Sequence, residues 1–266
     1  MSPAAPLLAY ASFSVPGATL AEKAGLLRER GLALELADDG SVDAAAVLGL
    51  GVPVACVQAF RMHDAHPLHA DPAVREEARR VVLSALELAA RVGCPRVLTV
   101  CGFGPPGVER PFEAALGFFA SLAAPARALG LRLLVEPLSP RRAGAFTRPA
   151  EVRDLLRALA SPDVFGAALD TGHMLDGGLD PAAELSAWDG LLEEVQLKGP
   201  LSAAPGPELP LRRWLSAPGA PPALLAVEHR EVIGRERFDE VVAGVLDALT
   251  VGAEAAPVAT GAPAAG

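Results

Sequence analysis

The 266 residues suit one large domain or two small ones, and a 51% hydrophobic composition supplies ample core material. A net charge of −9 argues against general nucleic-acid binding, which needs a basic surface to neutralise phosphates. Three cysteines, Cys56, Cys94 and Cys101, form no CxxC pair; this speaks against a disulfide framework or a structural zinc site and for a reducing, cytoplasmic compartment.

The first 21 residues carry no charged side chain, but they lack a basic start and are interrupted by Pro3, Pro6, Pro16 and Gly17, so neither a signal peptide nor a membrane segment is expected. Leu7–Phe13 reads as the first strand. Thr19 and Glu22 make a capping box for a helix ending at Gly31. Leu32–Leu36 is the second strand, followed by a short helix over Val42–Leu50 and a third strand over Val52–Phe60. Asp71-Pro72 starts a helix that runs to Gly93, with Asp as N-cap and Pro in the first turn. Val97–Cys101 is the fourth strand, and Phe112–Leu129 a helix stopped by Gly130. Leu131–Glu136 is the fifth strand, after which Thr147 can cap a helix through Leu159. Phe165–Asp170 is the sixth strand, followed by a short helix at Pro181–Ala187. Glu194–Lys198 is the seventh strand, Leu209–Leu215 a short helix, and Leu224–Glu228 the eighth strand. A last helix covers Arg237–Leu249.

Eight near-continuous apolar strands alternating with helices over roughly 250 residues predict an α/β fold, a single (β/α)8 TIM barrel spanning 1–250. A doubly wound sheet is the rival, but its GxGxxG turn after the first strand is missing. Residues 251–266 read as a disordered tail rich in Ala, Pro and Gly.

In such a barrel the site lies at the C-terminal strand ends. There the sequence places Glu136 (LLVEP), Asp170 and His173 (LDTGH), Gln196 and Lys198 (VQLK), and Glu228 with His229 and Arg230 (AVEHR). The intervals 136–170, 170–196 and 196–228 are each about one βα unit, so Glu136, Asp170, Gln196 and Glu228 are expected at one level. Three close carboxylates raise one another's pKa, and one divalent cation bound by these four oxygen donors resolves the conflict. Oxygen ligands favour Mn²⁺ or Mg²⁺, with Co²⁺ or Zn²⁺ as alternatives.

These segments resemble the xylose isomerase-like barrel superfamily, the sugar phosphate isomerase/epimerase group, over residues 7–249. The resemblance implies one divalent metal ion at Glu136, Asp170, Gln196 and Glu228, proton transfer by Glu136 and Glu228, and a substrate contact at His173. Many members carry His where this chain has Gln196. Glutamine there occurs in members resembling 3-dehydroshikimate dehydratases, whose following PGxGxL-like segment is partly matched by Pro205–Leu209.

The leading expectation is a metal-dependent isomerase or epimerase of a small sugar, ketose or cyclitol, acting through an enediolate. The alternative is a carbon–oxygen lyase dehydrating a polyhydroxylated cyclic keto compound, with His173 as the acid. An apurinic-site endonuclease fits less well, because such sites are rich in histidine and the chain is acidic. A barrel without catalysis is also open. Lysine occurs only at Lys23 and Lys198. Lys198 and Arg230 are expected to bind an anionic or polyhydroxylated substrate, or else to neutralise the carboxylates. Glu35 and Gln58 are expected to line the pocket. Arg141 and Arg142 read as a solvated pair that can cover the site. His63, His66 and His69 read as a loop over the barrel mouth, not a zinc motif. Expected partners are a small polyhydroxylated substrate, no nucleic acid and no membrane, with a homo-oligomer left open.

Overall fold

A computed structural model describes residues 5–188, 190–216 and 222–254. Its eight strands are β1 Leu7–Ala11, β2 Ala33–Ala37, β3 Val54–Gln58, β4 Arg96–Val100, β5 Arg132–Glu136, β6 Phe165–Asp170, β7 Leu192–Leu197 and β8 Leu224–Val227. They close into one parallel barrel in sequence order, with β8 returning to β1. The helices are α1 Leu20–Glu29, α2 Ala44–Leu48, α3 Pro72–Val92, α4 Pro111–Ala128, α5 Pro149–Leu159, α6 Thr171–Asp176, α7 Pro181–Leu185, α8 Leu211–Leu215 and α9 Arg235–Glu254. The (β/α)8 fold read from the sequence is therefore the fold observed.

Local chemistry accounts for most boundaries. Thr19 and Glu22 form the expected reciprocal cap of α1. Asp71 accepts the Ala73 N–H at the start of α3, and Gly93 ends that helix in the left-handed region at φ 71°. The start of α5 differs from expectation. Glu151 reaches back to accept the N–H groups of Thr147 and Arg148, at 2.8 and 2.9 Å, and Arg148 takes the cap position in place of Thr147. Helix α9 continues to Glu254, past the expected start of the tail at 251; residues 255–266 lie outside the described residues. Helix α6 was missed by the sequence pattern, because Thr171–Asp176 is too short to show a helical period. It begins on Asp170, whose side chain accepts the His173 N–H.

The main core lies between barrel and helices, and a second, smaller one fills the barrel interior. Interior positions are mostly small: Ala9, Ala33, Ala55, Ala168 and Ala226, with Cys56, Leu98, Leu134 and Leu224. Barrels of this kind normally fill that space with bulky branched side chains. Here the alanines leave volume that polar side chains occupy instead. Among the described residues no helix is long and apolar enough to cross a membrane.

Candidate active site at the C-terminal strand ends

Glu136 and Asp170 are the last residues of β5 and β6, and His173 sits one helical turn beyond Asp170 on α6. Ligand atoms of these three buried residues all lie within 4.8 Å of one another. Glu228, just beyond β8, stands across Lys198 from this trio. Lys198 Nζ is ion-paired with Asp170 Oδ2 and donates to Glu228 Oε1 at 3.0 Å. The expected common level is thus only partly present. Asp170 pairs in register with Gln196, but Gln196 pairs with Ala226, so Glu228 lies one step higher, level with Lys198.

Lys198 is 2% exposed, and Gly172 packs against its stem, where a Cβ would come within 3.0 Å of Lys198 Cγ. Burial alone would pull the lysine pKa down. The charges of Asp170, Glu228 and Glu136 outweigh that and hold the ammonium above its ordinary value. Lys198 is thus placed to neutralise the carboxylates, one of the two places expected for it, and it is not among the side chains that line the cleft.

The expected place of Glu35 on the pocket wall is corrected. It is fully buried beneath the cleft, and its Oε1 accepts Gln58 Nε2 at 2.9 Å and Gln196 Nε2 at 2.7 Å. Gln58 does line the cleft, and it also donates to Glu228 Oε2 at 2.7 Å. Below them lies Glu194, fully buried and within 4.8 Å of Glu35 and Cys56 at their ligand atoms. Burial pushes the Glu194 carboxyl up to about 7, and burial together with the Glu194 and Glu228 charges raises Glu35 well above the carboxylate range. Sequence reasoning missed Glu194, although the signal was present: Glu194, Gln196 and Lys198 alternate along one strand and so face the same side.

Burial, followed by the charges of Asp170 and Glu228, holds the Glu136 carboxyl well above its ordinary value. Burial and the Lys198 charge lower His173 to about 3, so its imidazole is neutral; Nε2 lies 3.6 Å from Glu136 Oε1. That counts against an imidazolium acid at this position.

The donor set fits a hard divalent cation. Glu136, Asp170 and His173 already converge, and Gln196 keeps its Oε1 buried and without a partner, as an amide ligand requires. The amide nitrogen of Gln196 is committed to Glu35, which fixes the direction of that oxygen. The Lys198 ammonium adds one positive charge to the same group.

Above these residues a cleft of about 430 Å³, open at its mouth, is lined by Glu136, His173, Glu228, Gln58, Arg142 and Arg230 among others. Of the three loop histidines only His63 faces it. His66 Nδ1 accepts the Leu68 N–H and His69 Nδ1 accepts the Asp71 N–H, so both hold the loop itself. Buried His229 bonds Tyr10 Oη at 2.8 Å, while Ser14 Oγ donates to its carbonyl; the two contacts pin the chain next to Glu228. Cys56, Cys94 and Cys101 are all free and buried.

The profile of the family described as xylose isomerase-like TIM barrel matches residues 25–236. The chain belongs to this family. Solved structures agree with it in fold. L-ribulose 3-epimerase superposes with a TM-score of 0.74 at 19% identity, covering 94% of this chain and 95% of that one. D-allulose 3-epimerase from Methylomonas sp., in complex with D-allulose, gives 0.73 at 16% identity, with 95% and 96% covered. 3-Keto-D-glucoside 4-epimerase from E. coli gives 0.71 at 17% identity, with 92% and 99% covered. No curated protein matches the chain in sequence. Within the xylose isomerase-like barrel, the cleft over Glu136 and Glu228 occupies the face where such barrels carry their chemistry.

Proposed function

We propose that the protein is a divalent-metal-dependent isomerase or epimerase of a small sugar, ketose or cyclitol. The observation that carries this reading is the placing of two carboxyl groups with different partners on one cleft. Glu136 is buried with its carboxyl raised, and Glu228 is ion-paired to Lys198 and held by Gln58. The sugar epimerases that share the fold, one of them with D-allulose bound, support it.

In the proposed reaction a hydroxycarbonyl substrate lies between the two glutamates. Glu228 takes the proton next to the carbonyl. Glu136 returns a proton, either to the opposite face of the same carbon or to the neighbouring carbon. His173, neutral, donates a hydrogen bond and does not carry the proton as imidazolium. Gln58 and Lys198 keep Glu228 in one position through the cycle. Glu136, Asp170 and His173, whose ligand atoms converge, would hold the cation together with the Gln196 amide oxygen, and Glu228 would face it across Lys198. The cation would supply positive charge to the oxygens of the enediolate. Mn²⁺ or Mg²⁺ suits this oxygen-rich set.

A dehydratase would use the same first step, and Gln196 is the feature that favours it. The deciding measurement is deuterium exchange from solvent into a panel of ketoses, inososes and dehydroshikimate-like acids, with metal analysis of the purified protein. Deuterium incorporation at unchanged carbon skeleton and water content is expected, and Glu228→Gln abolishes it while circular dichroism is retained. Loss of one water identifies a lyase. An active, metal-independent Glu228→Gln protein refutes the two-glutamate mechanism.

A further inference from the structure

The cleft has an acidic floor and a basic rim. Arg142, on the loop after β5, and Arg230, after β8, both line its mouth. Among the described residues neither has a carboxylate within ion-pairing distance; their contacts are with a hydroxyl, aromatic rings and a neutral imidazole. Arg142 Nη2 donates to Ser202 Oγ at 3.0 Å. The Arg230 backbone N–H donates to the carbonyl of the same Ser202 at 2.9 Å.

Ser202 and its neighbour Leu201 stand at φ 63° and 56°, a left-handed conformation that residues with side chains rarely adopt. The strained turn thus ties both arginines to one residue. Strain of this kind collects where a ligand must be met by fixed groups.

The Arg230 guanidinium lies 4.2 Å from the Phe13 ring centroid and 5.0 Å from that of Phe60. His63 stacks on Phe103 at 4.2 Å, and its Nε2 is 3.4 Å from Arg230 Nη2. Burial and the two nearby guanidiniums lower the His63 pKa, so it adds no charge of its own. The rings flank the guanidinium, and no carboxylate among the described residues is ion-paired with it, although the Glu228 charge acts on it from within the cleft.

We propose that the substrate carries an anionic oxygen group, a carboxylate or a phosphate, which Arg142 and Arg230 receive at the cleft mouth. The inference rests on reading the floor as the isomerase/epimerase site. Guanidinium forks match both oxyanions in geometry and charge. Both guanidiniums stand at the mouth and the two glutamates lie below it, so the arrangement sets one orientation: anion outward, carbonyl inward between Glu136 and Glu228.

The test is calorimetric titration of the full-length protein, with Mn²⁺ present, against three ligands that differ only at one end: D-fructose, D-fructose 6-phosphate and D-fructuronate. One or both anions are expected to bind at least tenfold more tightly than D-fructose at 50 mM NaCl. That preference should shrink at 500 mM NaCl. Arg142→Met and Arg230→Met should each reduce it about tenfold, and Arg142→Lys should restore part of it. Preference for the phosphate or for the carboxylate names the source, and either supports the proposal. Equal binding of all three, no binding of either anion, or a preference that survives both methionine variants overturns it. Should Arg230→Met fail to fold, Arg142→Met and the salt dependence still decide. Deuterium exchange separates the two readings. Exchange into D-fructose without anion preference sinks the rim inference alone, whereas anion preference without exchange into any ligand sinks the isomerase reading alone.

Discussion

Replacing Lys198 by Met removes the ammonium and keeps most of the stem volume. The side chain is 2% exposed, and its Nζ is 3.0 Å from Glu228 Oε1 and paired also with Asp170. At 3.0 Å and an effective dielectric constant near 20, one such contact is worth about 5 kcal/mol before desolvation. Removing one partner of a buried pair typically costs about 3–5 kcal/mol, because the remaining charge has no counterion. Urea denaturation in chelator should therefore show Lys198→Met less stable by about that amount, with an unchanged denaturant slope. Mn²⁺ should narrow the deficit, since a cation bound at the carboxylates replaces the lost charge; at a hundredfold excess over Kd its binding contributes about 3 kcal/mol. A variant within about 1 kcal/mol of the parent in chelator refutes the placing of the ammonium between Asp170 and Glu228.

Further expectations follow from other buried groups. Glu194, at about 7 against an unfolded value of 4.5, binds its proton more tightly when folded; its stabilising contribution is full below pH 4.5 and is lost as pH rises through 7. The loss amounts to about 3 kcal/mol, and Glu194→Gln should remove it, so the stability of variant minus parent should climb between pH 5 and pH 8. A pH-independent difference would mean another group titrates. Gly172→Ala puts a Cβ 2.6 Å from the Gly199 carbonyl and 3.0 Å from Lys198 Cγ. It should cost about 1–3 kcal/mol in thermal unfolding and lower kcat by displacing Lys198. Tyr10→Phe leaves buried His229 without its 2.8 Å partner and should cost about 1–3 kcal/mol, read by the same melts. Glu228→Gln should lower kcat by about 10²–10⁴.

The barrel was legible because each buried parallel strand is an unbroken apolar run and each helix has a cap or stop, such as Asp71 and Gly93. The clustered carboxylates at the strand ends were legible because Glu136, Asp170 and Glu228 each end such a run. Depth was harder to read. Spacing along the chain does not contain the register between strands, so Glu228 was placed with Gln196 although it is level with Lys198. Glu35 was expected to line the pocket, and Lys198 to meet either the substrate or the carboxylates, since sequence shows which face a residue takes but not which neighbour reaches it first. Arg142 reads as one of a solvated pair in sequence. Its place on the cleft depends on Ser202, 60 residues away, in a backbone conformation that no residue type there announces.

The alanine-lined barrel interior has a consequence for how this protein can change. Because Ala9, Ala33, Ala55, Ala168 and Ala226 leave the space, Glu35 can bridge Gln196 and Gln58, and Gln58 in turn holds Glu228. Three amide–carboxylate links therefore join the barrel floor to the Glu228 carboxyl at the cleft. Once one amide is lost, the Glu35 carboxyl that the other amide bonds is held less firmly. Substitutions at Gln58 and Gln196 will therefore cost less together than the sum of their separate effects. Enlarging any alanine of the ring will displace the whole column and not a single contact. New specificity is more easily reached from the rim loops, and the interior will accept only sets of coordinated replacements.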